Sequence, residues 1–166
     1  MGEKIAAVLD GGPCELGIES TILDLTNPSP RILRAGPITA SQLANCLGTP
    51  VSQPQHHTVA VSGNMPVHYQ PRTPLRLKTP AQMQDDPGFP VARLVMVSEE
   101  SVSEVPPDTR FRLQMPVDKA AYARLLYRTL YEADQLAVRE IWVEQPPDLE
   151  IWLDIHDRLK RASASN

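Results

Sequence analysis

The spacing of prolines between residues 49 and 90 constrains this chain more than any other feature. Eight of the 17 prolines fall there. Each fixes φ and lacks an amide hydrogen, so neither a helix nor a central strand survives such spacing. The stretch reads as a linker or lid without regular structure, unusually long for a compact domain. It divides the chain into a front segment, residues 1–48, and a back segment, residues 91–166.

The front segment reads as short strands and one helix. Ile5 to Leu9 is an apolar run stopped by Asp10-Gly11-Gly12-Pro13, a strong turn signal. Ile18 to Leu25 follows in a mostly extended pattern, and Pro28 closes it by restricting Asn27. Ile32-Leu33-Arg34 is a third strand, stopped by Gly36-Pro37. Thr39-Ala40-Ser41-Gln42 then fits a capping box, with Leu43 and Leu47 on the buried face and Gly48 as the expected residue after the helix.

The back segment alternates strands and helices. Leu94-Val95-Met96-Val97 suits a buried strand, and Phe111 to Met115 alternates apolar with polar. Asp118 caps a helix predicted to Ala137, in which Tyr122, Leu125, Leu126, Leu130 and Ala133 recur at helical spacing. Glu140 to Glu144 is a further strand, and Leu149 to Ala162 a last helix with Trp152, Ile155 and Leu159 inward. Asp154 and Arg158 are spaced to pair along its flank. Strands separated by helices predict a small α/β unit.

Charge argues against one class of function. Sixteen basic residues face twenty acidic ones, for a net charge of −4. This argues against a nonspecific nucleic-acid binder that relies on a broad basic field and leaves room for a local basic patch. No apolar run approaches the length that spans a bilayer, and the start lacks a signal-peptide cleavage pattern, so the chain reads as cytoplasmic. Cys14 and Cys46 are the only cysteines and read as reduced, partly buried thiols. His56, His57, His68 and His156 have no spacing that suits zinc.

The residues alone give few chemical signals. Ser20 and Thr21 place hydroxyls on an apolar strand, where they either satisfy local hydrogen bonds or offer donors to an anion. Arg34 ends a strand just before a capped helix, a position where a guanidinium fork meets an anion with help from the helix N-terminus. A surface ion pair is the competing reading. Pro66 and Pro71 bracket His68 and Tyr69 and stiffen them, which lowers the entropy cost of placing a lid residue over a ligand. Arg158, Lys160 and Arg161 suit the end of a helix dipole. No phosphate-binding glycine loop, zinc-protease or nucleophile-elbow motif is present.

Three ordered stretches carry a family resemblance: Leu9 to Gly12, Gly17 to Asp24 (GIESTILD) and Ile32 to Thr39 (ILRAGPIT). They resemble the closing motifs of the YrdC/Sua5 family, approximately DGG, GxESTVVD and ILRPGxIT. Ser62 to Pro71 is similar to the SPGMKYRHYAP segment that joins the two Sua5 domains. Leu125 to Asp134 and Trp152 to Ala162 are similar to the close of the Sua5 C-terminal domain. The resemblance implies the back part of a twisted YrdC-like α/β sheet over residues 1–48. A Pro-rich linker over 49–90 would then lead to a small, Rossmann-like α/β Sua5 domain over 91–166.

It also implies threonylcarbamoyl-adenylate synthase activity, joining L-threonine, bicarbonate and ATP and releasing pyrophosphate. The product serves modification of tRNA adenosine 37, so tRNA is only an indirect partner. Ser20 would contact threonine with Thr21 beside it, Arg34 and Tyr69 would contact ATP, and His68 would belong to the lid. Mg2+ would accompany the triphosphate, with no dedicated side-chain cage. No residue is assigned to catalysis.

The departures matter equally. The family's phosphate-gripping lysine and arginine and its threonine-recognising stretch have no counterpart in this sequence. Its two linker cations are also lost, since Met65-Pro66-Val67 stands before His68. The expectation is a chain inactive without a front half or a second copy. The alternative is a non-catalytic interaction or regulatory remnant of the same fold.

Overall fold

The computed structural model of the chain describes residues 5–54, 59–63, 69–98 and 111–164. In the front segment, β1 (Ile22–Asp24) pairs antiparallel with β2 (Arg31–Arg34). Asp24 fixes the turn between them. Its carboxylate accepts the Thr26 amide at 2.9 Å, the Thr26 hydroxyl at 2.6 Å and Arg31 Nε at 2.9 Å. The hydroxyl and amide of Thr26, followed by the Arg31 guanidinium, hold this carboxyl well below the usual carboxylate range. Beyond β2, Ser52 extends the ladder through Ile32 N–H donating to its carbonyl at 2.8 Å.

The expected strand over Ile5–Leu9 does not form, and Val8 and Leu9 stand exposed. No described strand lies beside this run, so its backbone groups have no ladder to join. Helix α1 (Ala40–Leu47) has the full capping box at Thr39 and Gln42, and Gly48 ends it in left-handed geometry at φ 66°. Its apolar face is not buried within this chain: Leu43 is half-buried and Leu47 exposed. Cys14 and Cys46 are free and both exposed, rather than partly buried.

Regular structure also enters the proline-rich stretch, contrary to expectation. Strand β3 (Leu75–Lys78) lies there, followed by a 3-10 turn at Gln82–Gln84. Pro74 and Pro80 flank the strand instead of interrupting it. β3 is an edge strand with one neighbour, and the Pro74 carbonyl accepts the Ile141 amide at 2.8 Å. Proline restricts strands at their amide donors, and here no ladder donor is lost.

Strands β4 (Val91–Val97), β5 (Arg112–Pro116) and β6 (Glu140–Glu144) complete a parallel sheet in the order β3-β6-β4-β5. Helices α2 (Lys119–Asp134) and α3 (Leu153–Ser163) both cover one face of it. Ala92, Leu94, Met115, Ile141 and Val143 point to that side and meet Tyr122, Leu126, Ala133, Ile155 and Leu159. Alternation sends Arg76, Trp142, Arg93 and Arg112 to the other face. That face carries a small apolar cluster of Met83, Val91 and Trp142 backed by Phe89 and Val95.

The expected Asp154–Arg158 pair is replaced by two others. Asp154 is buried and accepts Lys119 Nζ at 2.6 Å, tying the starts of α2 and α3 together. Arg158 turns toward the front segment. Gly17 makes that approach possible: at φ 65°, an added Cβ would lie 2.4 Å from the Arg124 backbone of α2. Only glycine lets the chain lie this close to the helix. No helix among the described residues is long and apolar enough to cross a membrane.

Candidate functional site

Two adjacent residues, Glu19 and Ser20, organise the region where front segment, linker and back domain meet. Ser20 lies beside Arg34, the last residue of β2. Arg34 Nε and Nη2 donate to the Ser20 carbonyl at 3.1 and 3.0 Å, and Nη2 also reaches the Ser20 hydroxyl oxygen at 3.3 Å. Nη1 donates to the Ser62 carbonyl of the linker at 3.0 Å. The two residues expected to share an anion-receptive hollow are thus in contact. Of the five N–H donors of a guanidinium, these bonds leave one on Nη1. The Ser20 side remains exposed.

Glu19 faces the back domain. Its Oε1 accepts the Tyr69 hydroxyl, and its Oε2 accepts the Tyr127 hydroxyl at 3.1 Å and Arg158 Nε at 3.0 Å. The Tyr69 and Tyr127 rings stack, with centroids 5.0 Å apart and planes 22° from parallel. The Arg158 guanidinium stands 5.9 Å from the Tyr69 ring centroid and also donates to Asp157 at 2.8 Å. Partial burial pushes the Glu19 carboxyl up, but the Tyr69 hydroxyl, its own backbone amide and the Arg158 charge outweigh this and hold it down at about 2. Burial first, and the Glu19 carboxylate second, raise the Tyr69 and Tyr127 phenols above their ordinary range. The cluster is a carboxylate gripped by two neutral phenols and one buried cation.

Tyr69 is therefore clamped. Its φ of 61° is unusual for a non-glycine residue, and the hydroxyl bond and ring stack hold it there. The hydroxyl also borders Arg34: a Cβ added to Gly63 would lie 2.9 Å from it and 3.5 Å from Arg34 Nη1. Tyr69 and Arg34 thus both border Gly63, and Ser20 contacts Arg34. His68 lies outside the described residues. The Thr21 hydroxyl is occupied in holding the loop before α1, donating to the Ile38 carbonyl at 2.8 Å and accepting the Ile38 amide at 3.1 Å.

The expected pull of the α1 N-terminus on an anion beside Arg34 is weakened for a local reason. Protein groups fill its first amides: Thr39 Oγ1 accepts the Gln42 amide, and Glu150 of the back domain accepts the Ser41 amide at 2.9 Å. A cleft of about 330 Å³ does open between β2 and α3, with Arg34, His156, Asp157, Lys160 and Arg161 in its wall. Among the described residues, no three His, Cys, Asp or Glu side chains cluster as a metal site would require.

Sequence reasoning missed Glu19, Tyr127 and Arg158. A signal for Arg158 was present. It falls three residues after Ile155 and four before Ala162, on the buried stripe of α3, and it is 1% exposed. A charged residue on such a stripe requires a partner, and no apolar pattern names which.

A family model described as threonylcarbamoyl-AMP synthase, C-terminal domain, matches residues 38–164. The chain is similar to the threonylcarbamoyl-AMP synthase of Bacillus subtilis, at 29% identity over 96% of this chain and 49% of that protein. A putative threonylcarbamoyl-AMP synthase of Mycobacterium tuberculosis is 46% identical over 48 residues, covering 29% of this chain and 22% of its own length. The chain spans about half the length of the Bacillus relative and of a Pyrococcus abyssi relative. The crystal structure of P. abyssi Sua5 complexed with L-threonine superposes with a TM-score of 0.75 at 22% identity, over 98% of this chain and 50% of that one. That likeness shows the fold, an α/β arrangement with the twisted sheet of YrdC/Sua5 proteins.

Proposed function

The chain belongs to the threonylcarbamoyl-AMP synthase family, whose C-terminal domain it carries over residues 38–164, and on that premise we propose that it forms the back part of such a synthase. The reaction would join L-threonine, bicarbonate and ATP into threonylcarbamoyl-AMP and pyrophosphate, for the t6A modification of tRNA adenosine 37. The observation that carries the reading is that Ser20 touches Arg34 while Arg34 and Tyr69 both border Gly63, which brings three separate stretches into one region.

In this proposal residues 1–48 close a catalytic domain, the stretch before β3 crosses its mouth, and β3 together with residues 91–166 braces it. The exposed Ser20 hydroxyl donates to the threonine carboxylate, with Thr21 holding the loop behind it. The free Nη1 hydrogen of Arg34 meets a phosphate oxygen of ATP. Tyr69, with His68 before it, covers the nucleotide. These donors are fixed before reaction, which lets them stabilise charge as it develops without reorganising. Magnesium would accompany the triphosphate.

Activity would need a further catalytic portion, supplied by a longer form of the protein, a separate chain or a second copy. Leu25, Ile38 and Leu47 in the front segment are each exposed, and such a portion would cover apolar side chains of this kind. The competing reading, a non-catalytic remnant, draws on Arg34: four of its donors already serve protein oxygens.

Reconstitution separates the two. The chain is mixed with the front half of a family synthase, and pyrophosphate release is measured with threonine, bicarbonate and ATP. Release that requires this chain and threonine, and that falls with Arg34→Ala, supports the synthase. Release indifferent to this chain favours the remnant.

A further inference from the structure

The face of the parallel sheet turned away from α2 and α3 carries an arrangement that the synthase reading does not use. Strand register places Arg76 beside Trp142, Trp142 beside Arg93, and Arg93 beside Arg112. Three guanidiniums and one indole thus form a single row across all four strands. Like charges on neighbouring strands repel, and without compensation such a pair destabilises a sheet.

Most of the row is compensated. Arg93 Nε donates to the Met83 carbonyl at 3.2 Å and Nη2 to the Asp85 carbonyl at 2.8 Å, and its guanidinium lies 5.1 Å from the Trp142 ring centroid. Lys78 Nζ lies 4.3 Å from the same ring. Arg76 stands 3.6 Å from Glu140. Arg112 is the exception. It has no ion pair among the described residues, and its buried Nε has no hydrogen-bond partner. A buried donor left unmade is costly.

Arg112 lines a cleft of about 460 Å³, together with Arg93, Phe89, Phe111, Val91 and Val95. That volume lies within the range of small-molecule sites. Among the described residues Asp86 is the one carboxylate in the wall, and it is engaged in its own turn, accepting the Gly88 amide at 2.9 Å. The cleft therefore combines a guanidinium whose buried Nε has no partner, a second cation beside it, and aromatic and aliphatic walls.

We propose that this cleft is a second ligand site, taking a phosphate monoester that carries a planar ring, with the phosphate on Arg112 and the ring against Phe89 and Phe111. A guanidinium fork suits phosphate oxygens, and rings offer a flat apolar surface to a base. The site lies across the sheet from Glu19, Tyr127 and Arg158, and it stands or falls independently of the synthase reading.

The test is NMR titration of the full chain with AMP, adenosine and inorganic phosphate, following the two tryptophan indoles and the Arg112 side chain. Trp142 sits on the site's face, whereas Trp152 lies in the helix-side core and serves as the internal reference. AMP should shift Trp142 and Arg112 saturably and leave Trp152 in place. Phosphate alone and adenosine alone should bind about tenfold more weakly, as each supplies half of the contacts. Arg112→Gln should weaken AMP about tenfold or more, Arg112→Lys less, while Arg34→Gln should leave the Trp142 response unchanged.

A short single-stranded RNA, whose internal phosphates are diesters, should bind more weakly than AMP; tighter binding by the RNA would overturn the monoester. The site is overturned by no Trp142 or Arg112 shift up to about 5 mM AMP, by an AMP response that survives Arg112→Gln, or by equal affinity for AMP and phosphate.

Discussion

Arg158→Ala tests the junction most directly. Arg158 is 1% exposed, and its removal leaves Glu19 without its only cation among the described contacts. Breaking a buried ion pair from one side costs about 3–5 kcal/mol. Glu19 retains 30% side-chain exposure, so water recovers part of its solvation and the lower end applies, about 3 kcal/mol. For a chain of this size that corresponds to a fall in Tm of roughly 6–12 °C. Two phenols still donate to Glu19, and they keep the loss from being larger.

Thermal and urea unfolding of Arg158→Ala, Glu19→Gln and the double variant supply the measurement. The double variant should recover about 1–2 kcal/mol relative to the sum of the singles, since each single strands the other partner. A Tm fall below about 2 °C for Arg158→Ala, or singles that simply add, would refute the claim that this pair joins the front segment to the back domain.

The remaining predictions concern acid, glycine and tyrosine. The Glu19 carboxyl titrates near 2 when folded, against 4.5 ordinarily, so its contribution is complete above pH 4.5 and disappears as pH falls toward 2. Screening of a partly exposed group limits this to about 1–2 kcal/mol, and the stability gap between wild type and Glu19→Gln should narrow by that amount across the same interval in urea titrations. Gly17→Ala should cost about 3 kcal/mol or more, because a Cβ meets the Arg124 backbone at 2.4 Å, whereas Gly48→Ala faces open space and should cost about 1 kcal/mol for its positive φ alone. Comparative urea midpoints check that order. Tyr69→Phe keeps the ring stack and loses the Glu19 bond, for about 1–2 kcal/mol; linker proteolysis should accelerate less than in Tyr69→Ala.

Local chemistry made much of this fold legible. The capping box at Thr39, the cap at Asp118 and the limits of Glu140–Glu144 all agree with the structure, because caps and alternation act within a few residues. The failures are those of distance. Leu75–Lys78 was hidden by its flanking prolines, which forbid a central strand and permit an edge one. Ile5–Leu9 has strand composition and no described neighbour to pair with. Asp154 and Arg158 had suitable spacing for each other, yet Lys119 and Glu19 took them. Helical spacing reports which side chains can meet along one helix, and it is silent on competitors brought in by the fold.

The same distinction explains the site. Ser20, Arg34 and Tyr69 were readable as chemical types in a resembling motif, but what fixes them was not. Glu19 and Ser20 are consecutive, and they serve different halves of the molecule: the Ser20 carbonyl and hydroxyl receive Arg34, while the Glu19 carboxylate receives Tyr69, Tyr127 and Arg158. One peptide unit thus links strand β2, the linker and both helices of the back domain. A shift in α3 that displaced Arg158 would free the Glu19 charge, loosen Tyr69 from its left-handed backbone and move the Ser20 carbonyl on which Arg34 rests. On this geometry the back domain reaches the Ser20–Arg34 region through one carboxylate.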